Sequence, residues 1–555
     1  MALSSTPNVS RPTLSGVMGD EARTLLRLLK WWPLLPVLLL FLGAVFLTYQ
    51  TPGTYLVDVG SPSDEAYTVN FHTRLDDNGT TYRWSDVYGY VLFPGIGGGR
   101  PLAAYMLVDT ERTAPLQVFI NGVQVYSSTL TPGWHILDAL RVDATHPAAL
   151  QSRDTVIELR SPDYRTEDAP TEPKGVKVDG VSVFQDLDGG VIWPPIAPLL
   201  WLCVALVLLY VLVGRMLLVW TGTGRARLYG LLALVALAGA ILWALVPYKW
   251  DDKYVDSGAV IYGNNRVLIT ADAGHIAATL FAVLLIALVV EWVLRVRVPA
   301  MTTTACRVLA GLVAMAFLLR FGGMALPQSV IVDMPYHMKW LNTLLTGDWQ
   351  SLYFPGGLSA VPREWGMELL IPKSPLFYFA FAPLSVLPFD LATSVKWLLC
   401  LLDASVVLVV FWLARRAGAR VGAASFAAAL YAVMPLVFRA FAYGILPTIF
   451  AQWLAVLLFA AVLGVGSGRA RVWVWFGVLL LATLTLLSFP TVALFVSMVV
   501  VGYAVLLLLR PRLRPVGVPR YSWWLLGTLA GGWVLAVWTY YGLYISPVMT
   551  SVSAL

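Results

Sequence analysis

The residues best suited to chemistry lie in one stretch of mixed polarity, Pro327 to Tyr378, between two long apolar runs. It holds an acid, Asp333, followed by Tyr336 and His337, and then by Lys339, Arg363, Glu368 and Lys373. A carboxylate near an imidazole can take and return a proton. Cations in the same loop can hold an anion such as a phosphate through charge-assisted hydrogen bonds. The run MKWLNTLLTGDW after His337 has amphipathic spacing, which would carry these side chains along the edge of an apolar region. A second polar stretch, Pro247–Gly274, holds Asp251, Asp252, Lys253, Asp256, Arg266 and Asp272, and its three clustered acids are the next candidates. Plainer uses exist for each. Asp333 can cap the helix that follows, His337 can be a structural hydrogen-bond partner, and Lys373 can anchor an interface.

The elements that must position these residues are apolar helices. Hydrophobic residues make up 58% of the chain and charged residues 13%, against about a quarter charged in soluble domains. Apolar runs recur at lengths that cross a hydrocarbon core of about 30 Å, and they predict about eleven spans. These are Pro33–Tyr49, Trp193–Val213, Leu228–Val246, Ile276–Leu294, Val308–Met324, Leu391–Leu413, Ala423–Phe438, Ile449–Val465, Val472–Leu487, Val492–Leu509 and Trp523–Tyr541. Ser374–Leu387 is apolar but too short to cross, and an interfacial helix is expected there.

Charge then sets the orientation. The net charge of +6 is spread over short basic clusters between apolar runs, which argues against a nucleic-acid face. With the N-terminus in the cytoplasm, Arg215/Arg225/Arg227, Arg295/Arg297/Arg307, Arg415/Arg416/Arg420, Arg469/Arg471 and Arg510/Arg512/Arg514/Arg520 all fall inside. The Asp333 loop and the acidic Asp251 loop then fall outside. No small-residue cleavage motif follows Tyr49, so the first span reads as an uncleaved anchor. Cys203, Cys306 and Cys400 lie in or beside apolar runs and no C-x-x-C occurs, so neither a disulfide framework nor a cysteine-bound metal is expected.

From Thr51 to about Asp188 the pattern changes to short alternating runs. LQVFI and VQVYS flank Asn121-Gly122, a strong hairpin signal, and AYTVNF, YGYVLF, AAYMLV, TVIEL and VKVDGVSVF supply further strands. Seven or more such strands imply a β-sandwich. Trp84, Tyr88 and Trp134 are aromatic candidates for stacking on sugar rings, with a core role as the plainer reading. The expected fold is therefore mainly α, a polytopic membrane helical bundle with an inserted extracytoplasmic β-sandwich. Its parts are an arm and first anchor (1–50), the sandwich (51–190), helices with an acidic outer loop (191–306) and a core (307–555) with its outer loop at 327–390.

Several motifs carry a resemblance. Asp333-Met-Pro-Tyr336-His337 stands just beyond an apolar run, and Lys373-Ser-Pro-Leu-Phe-Tyr378 looks like a Lys-Pro-Pro-Leu-x-Tyr helix with Ser374 in place of the first Pro. Tyr443-Gly-Ile-Leu-Pro447 and Ser488-Phe-Pro490 look like the Gly-x-x-Pro and His/Ser-x-Pro breaks at later helix ends. Together they resemble the GT-C glycosyltransferases, a superfamily that includes protein O-mannosyltransferases and lipid A aminoarabinose transferases. The likeness covers about 308–541 and has no strict Asp-x-Asp. The inserted domain loosely resembles jelly-roll modules attached to bacterial membrane glycosyltransferases.

The resemblance implies sugar transfer from a polyprenyl-phosphate donor to a glycan, lipid or protein acceptor at the outer face of a bacterial plasma membrane. It makes Asp333 the catalytic acid–base residue and Lys373, Arg363 and His337 the donor-phosphate ligands. Tyr336, Lys339, Glu368, Asp251, Asp252 and Asp256 are additional candidates. It implies no definite cofactor and leaves a divalent metal open. Two other classes stay open: a non-catalytic glycan-binding or assembly protein, and a lipid-linked glycan transporter. A transporter calls for paired polar sites within the spans and for internal repeats, and with only Asp403 there and no obvious repeat it ranks last.

Overall fold

The computed structural model describes residues 14–51, 53–61, 64, 67–77, 79–143, 154–166, 169–185, 190–245, 261–262, 265–298, 301–322, 324, 333–355, 360–361, 371–372, 374–465, 472–510 and 521–553. The chain divides into two compact units, Met1–Leu285 with Ala325–Val330, and Ile286–Met324 with Ile331–Leu555.

The first unit opens with helices α1 (Leu14–Leu29) and α2 (Leu34–Tyr49). Twelve strands follow: β1 (Thr54–Asp58), β2 (Thr68–Phe71), β3 (Leu75–Asp77), β4 (Thr80–Phe93), β5 (Leu102–Thr110), β6 (Ala114–Ile120), β7 (Val123–Leu130), β8 (Gly133–Val142), β9 (Thr155–Arg160), β10 (Tyr164–Thr166), β11 (Ala169–Lys174) and β12 (Lys177–Gln185). A short β13 (Ile261–Tyr262) adds to β1. One antiparallel ladder runs β13-β1-β12-β5-β8 and the other β2-β4-β9-β6-β7, with β4 joined to β12 through Trp84 and Lys177. Alternation sends Val57, Val108 and Val181 of the first ladder and Val91, Val118 and Ile157 of the second into one core, where all are fully buried. The expected hairpin is present. Asn121 and Gly122 turn β6 into β7 with φ of 49° and 82°, the positive values that such a two-residue turn needs.

Helix α3 (Ile196–Leu245) follows, 50 residues long. At 1.5 Å per residue an unbroken helix of that length would reach about 75 Å, more than twice a bilayer core. Gly222, at φ 71° and ψ 170°, breaks it. The arms then fold back on one another. A Cβ at Gly230 would stand 2.8 Å from the Tyr210 carbonyl oxygen, and one at Gly214 would stand 3.5 Å from that of Ala226. The two spans expected in this region are these two arms. Helix α1 packs on the first arm, where Glu21 accepts from buried Arg215 at 3.0 Å and Tyr210 donates to the Leu28 carbonyl at 2.9 Å.

Helix α4 (Asn265–Arg297) begins eleven residues before the expected span. Arg266 and Asp272, read from sequence as loop residues, are therefore helical and buried. Arg266 donates to the carbonyls of Leu245 (3.1 Å) and Thr48 (2.9 Å) and to the Tyr55 hydroxyl (3.0 Å), with its guanidinium over the Tyr49 ring. One residue thus ties α2, β1, α3 and α4.

The second unit continues with α5 (Thr303–Gly322), α6 (Met334–Leu345), the single turn α7 (Gln350–Tyr353), α8 (Leu376–Phe381), α9 (Leu391–Arg416), α10 (Val421–Ala432), α11 (Pro435–Tyr443) and α12 (Leu446–Val465). It ends with α13 (Val472–Ser488), α14 (Pro490–Leu509), α15 (Tyr521–Thr539) and α16 (Ile545–Ser553). At its start Glu291 on α4 is buried against Arg295 and against Arg307 on α5 (3.3 Å), so these two basic residues are paired rather than free. Helices α12 to α15 share one apolar core centred on Ala451, Leu486, Ala493 and Leu507.

The expected apolar spans fall largely on helices, with Ala423–Phe438 interrupted at Val433 and Met434. Among the described residues, seven helices are long and apolar enough to cross a membrane, and α1 with α2, bent by 60°, would add an eighth. Leu376–Val386 is short, as expected of the non-crossing segment.

Gly230 provides a test of the α3 turn-back. Gly230→Leu should lower stability in detergent by about 1–3 kcal/mol, because the backbone it meets cannot yield. Gly239→Leu, with nothing within 4 Å of its added Cβ, should leave thermal unfolding unchanged.

Candidate functional site

The site begins at a break between α10 and α11. Pro435 carries no N–H, and its ring forces the preceding Met434 to be extended (ψ 117°), so the helix cannot run on. The last carbonyls of α10, those of Tyr431 and Ala432, are then short of regular helical partners, although that of Tyr431 still accepts the Met434 N–H at 3.2 Å. Arg320, on α5 and 1% exposed, answers them: Nη1 donates to the Ala432 oxygen at 3.1 Å and Nη2 to that of Tyr431 at 3.4 Å. Its charge is met by Asp403 on α9, which accepts from Nε, and Asp403 also accepts from the Tyr431 hydroxyl at 2.6 Å. The acid noted inside a predicted span is thus half of a buried, hydrogen-bonded pair.

Helix α11 is short and ends at Gly444, whose φ of 73° suits glycine and lets α12 start at Leu446. This is the Tyr443-Gly-Ile-Leu-Pro447 motif. The Tyr443 carbonyl oxygen accepts the backbone N–H of Asp333 at 3.0 Å, which docks the start of α6 onto the end of α11. Asp333 occupies the N-cap position, but its side chain makes no capping hydrogen bond. The plainer reading of Asp333 as a helix cap does not describe its carboxylate.

His337 stands one turn further along α6. Its Nδ1 lies 2.9 Å from the hydroxyl of Tyr378 on α8, and the rings of Trp340 and Phe377 flank it. Helix α8 therefore packs beside the Asp333 helix. Burial pushes the Tyr378 phenol well above its ordinary pKa, so it remains a hydroxyl across the physiological range. Tyr336 is 64% exposed and Lys339 is exposed as well. Lys373, Arg363, Glu368, Asp251, Asp252 and Asp256 lie outside the described residues.

A cavity of about 820 Å³ opens among these helices. Asp403 and Tyr431 line it, and Val456, Phe459, Phe489 and Phe495 supply apolar wall. Arg439 and Tyr443 of α11 also line it. Arg439 is exposed, with its guanidinium 5.4 Å from the Tyr443 ring, and no carboxylate among the described residues pairs with it. The Thr448 hydroxyl in the wall is buried without a hydrogen-bond partner among the described residues.

Sequence reasoning missed Arg439, because the expected span was drawn to end at Phe438. The available signal was a lone arginine four residues before the Tyr443-Gly motif. Among the described residues no group of three or more His, Cys, Asp or Glu is placed to hold a metal. In the β domain Trp84 is 3% exposed beneath Lys174 and Lys177, so it belongs to the interior and not to a stacking surface. Tyr88 and Trp134 are exposed at 50% and 42%.

No protein-family model matches the sequence, and no curated protein matches it. Among solved structures, an acetyl xylan esterase from the rumen bacterium Butyrivibrio proteoclasticus matches at 11% identity, over 25% of this chain and 34% of its own, with a TM-score of 0.17. A family 35 carbohydrate binding module from Clostridium thermocellum matches at 16% identity, over 24% of this chain and 99% of its own, with a TM-score of 0.16. Similarity at that level says nothing about what either unit does.

The Arg320–Asp403 pair makes a direct prediction. Arg320→Met should cost about 3–5 kcal/mol, because it strands the buried Asp403 carboxylate and takes a donor from the Ala432 carbonyl. Adding Asp403→Leu should restore at least half of that loss in detergent unfolding, since the stranded charge is then gone.

Proposed function

We propose that the chain is a GT-C-type glycosyltransferase that moves a sugar from a polyprenyl-phosphate donor to an acceptor at the outer face of a membrane. In this reading the inserted domain is an extracytoplasmic jelly-roll and the bundle is the catalytic core. The observation that carries it is the cavity, with apolar walls, a lining guanidinium that no carboxylate among the described residues pairs, and an Asp333 whose carboxylate makes no capping hydrogen bond, docked on the helix that bears that guanidinium.

Each part has a physical task. The apolar walls take the isoprenoid tail, which gains by leaving contact with water. Arg439, with Lys373 and Arg363 from the adjoining loop, holds the donor phosphate and stabilises the charge that grows on it as it leaves. Asp333 accepts the proton of the acceptor hydroxyl. The acceptor oxygen then bonds to the anomeric carbon as the bond from that carbon to the phosphate oxygen breaks, with inversion. Polyprenyl phosphate departs, and Asp333 returns its proton to water.

A lipid-linked glycan transporter stands second. It is favoured by the buried Arg320–Asp403 pair at a broken helix that lines a cavity, the kind of polar site such transport calls for.

Two variants separate the roles. Asp333→Asn should cut transfer from a labelled polyprenyl-phosphate sugar by about 10²–10⁴-fold while donor binding holds. Arg439→Gln should weaken donor binding about tenfold or more, the loss expected for a hydrogen bond to a charged group. Transfer at the parental rate by Asp333→Asn would overturn the assignment.

A further inference from the structure

The outward face of the sheet formed by β1, β12, β5 and β8 carries a cleft of about 420 Å³. Strand β12 reaches it through an irregularity. Val178, Val181 and Val183 are all buried, so two residues, Asp179 and Gly180, fall between inward positions where alternation allows one. The register with β5 shifts there, as a bulge requires, and Asp179 lines the cleft. Strand β1 alternates normally, with Tyr55 and Val57 inside, and brings Asp58 to the same face opposite Gly180.

The bulge thus sets two half-buried carboxylates side by side, and neither is in an ion pair among the described residues. Burial first, then Asp179 and Asp64, push Asp58 up to about 6, while Arg74 pulls the other way. Burial raises Asp179 as well. Gathering like charges costs stability, and bulges that re-aim side chains recur beside functional sites.

Most of the rest of the cleft is apolar. Tyr105 is 44% exposed, its ring stacked on Phe184 at 5.4 Å and 21°, which fixes it as a platform. Ile136 also lines the cleft and is 74% exposed, and Leu56, Met106, Leu107, Gly180 and Ser182 complete the lining.

A ligand for this cleft needs a flat apolar face for Tyr105, hydrogen-bond donors for two carboxylates and no negative charge. A pyranose or furanose ring has all three, with C–H groups on one face and hydroxyls at the edge. We propose that the cleft binds a neutral sugar ring, with Tyr105 against its C–H face and Asp58 and Asp179 accepting from its hydroxyls. The surface lies away from the aromatic Tyr88 of the other ladder. It is independent of the transferase reading and holds whether or not the helices transfer sugar.

The test uses the full chain in nanodiscs and neutral oligosaccharides of glucose, galactose, mannose, xylose and arabinose, with binding read by calorimetry. At least one should bind. Tyr105→Ala and Asp179→Asn should each weaken it about tenfold or more, and Tyr88→Ala should change nothing. Hydroxyl donors favour the ionised carboxylate, so affinity should fall as pH drops through about 6. Asp58→Asn should raise the unfolding temperature at pH 8 and not at pH 4. Ionising Asp58 burdens the folded state only above the ordinary value of 3.8, and fully only above about 6.

Binding of none of these sugars, or undiminished binding by Tyr105→Ala, overturns the proposal. So does calcium binding that Asp179→Asn abolishes in the absence of any sugar binding, which would make the cleft a cation site. An Asp58→Asn variant no more stable at pH 8 would remove the carboxylate repulsion on which the site is argued.

Discussion

Helix α10 cannot continue past Ala432, because Pro435 has no N–H to give, and the Ala432 left at its end is fully buried. A fixed fork of donors is the available remedy, and Arg320 supplies it from α5. Lysine would not serve equally, since its single ammonium cannot address two carbonyls and a carboxylate in one plane. The guanidinium in turn needs an anion, which explains why Asp403 sits within an otherwise apolar helix. From that junction the rest follows along the chain. Helix α11 leaves at its own angle, presents Arg439 and Tyr443 to the cavity, and ends on the carbonyl that holds Asp333.

The first unit solves a related problem in the same way. Arg266 is fully buried where α2 ends and β1 begins, and it satisfies loose carbonyls on α2 and α3 while stacking on Tyr49. Arg215 joins α1 and α3 through an ion pair, with Glu21 as counter-ion. In both units buried arginines fasten segments far apart in sequence. Their opposite is the Asp58–Asp179 cleft, where like charges are gathered without a paired cation among the described residues. A fold that neutralises its buried arginines but leaves these two carboxylates together marks the cleft as a place for a ligand.

Much of this was legible in the residues, and the reason is periodicity. Long apolar runs become helices wherever they occur, and Asn121-Gly122 can only turn one way between two β runs. Asp333 at a helix start and the short α8 were legible from the amphipathic run after His337 and the length of the Ser374–Leu387 apolar run. The cavity was not, because it is formed by the packing of several helices and by no single pattern. Arg439 fell on a boundary, where sequence reading is least sharp. Arg266 read as a loop residue because charge suggests solvent, whereas its partners Thr48 and Tyr55 lie more than two hundred residues earlier. Pattern alone leaves Trp84 open between stacking and core, with core the plainer reading, and the cover of Lys174 and Lys177 decides for the core. The bulge at Asp179 was hidden because Val-Asp-Gly-Val suits either face of a strand.

The central claim is that the cavity between α11 and α14 holds a lipid phosphate at Arg439 with its sugar facing Asp333. Electron cryo-microscopy of the full chain in nanodiscs, saturated with a polyprenyl-phosphate sugar, tests it most directly. The account predicts phosphate density within hydrogen-bonding reach of the Arg439 guanidinium, an isoprenoid tail along Phe459 and Phe495, and the sugar directed toward the Asp333 carboxylate. A phosphate bound elsewhere with this cavity empty, or a sugar turned away from Asp333, would contradict it.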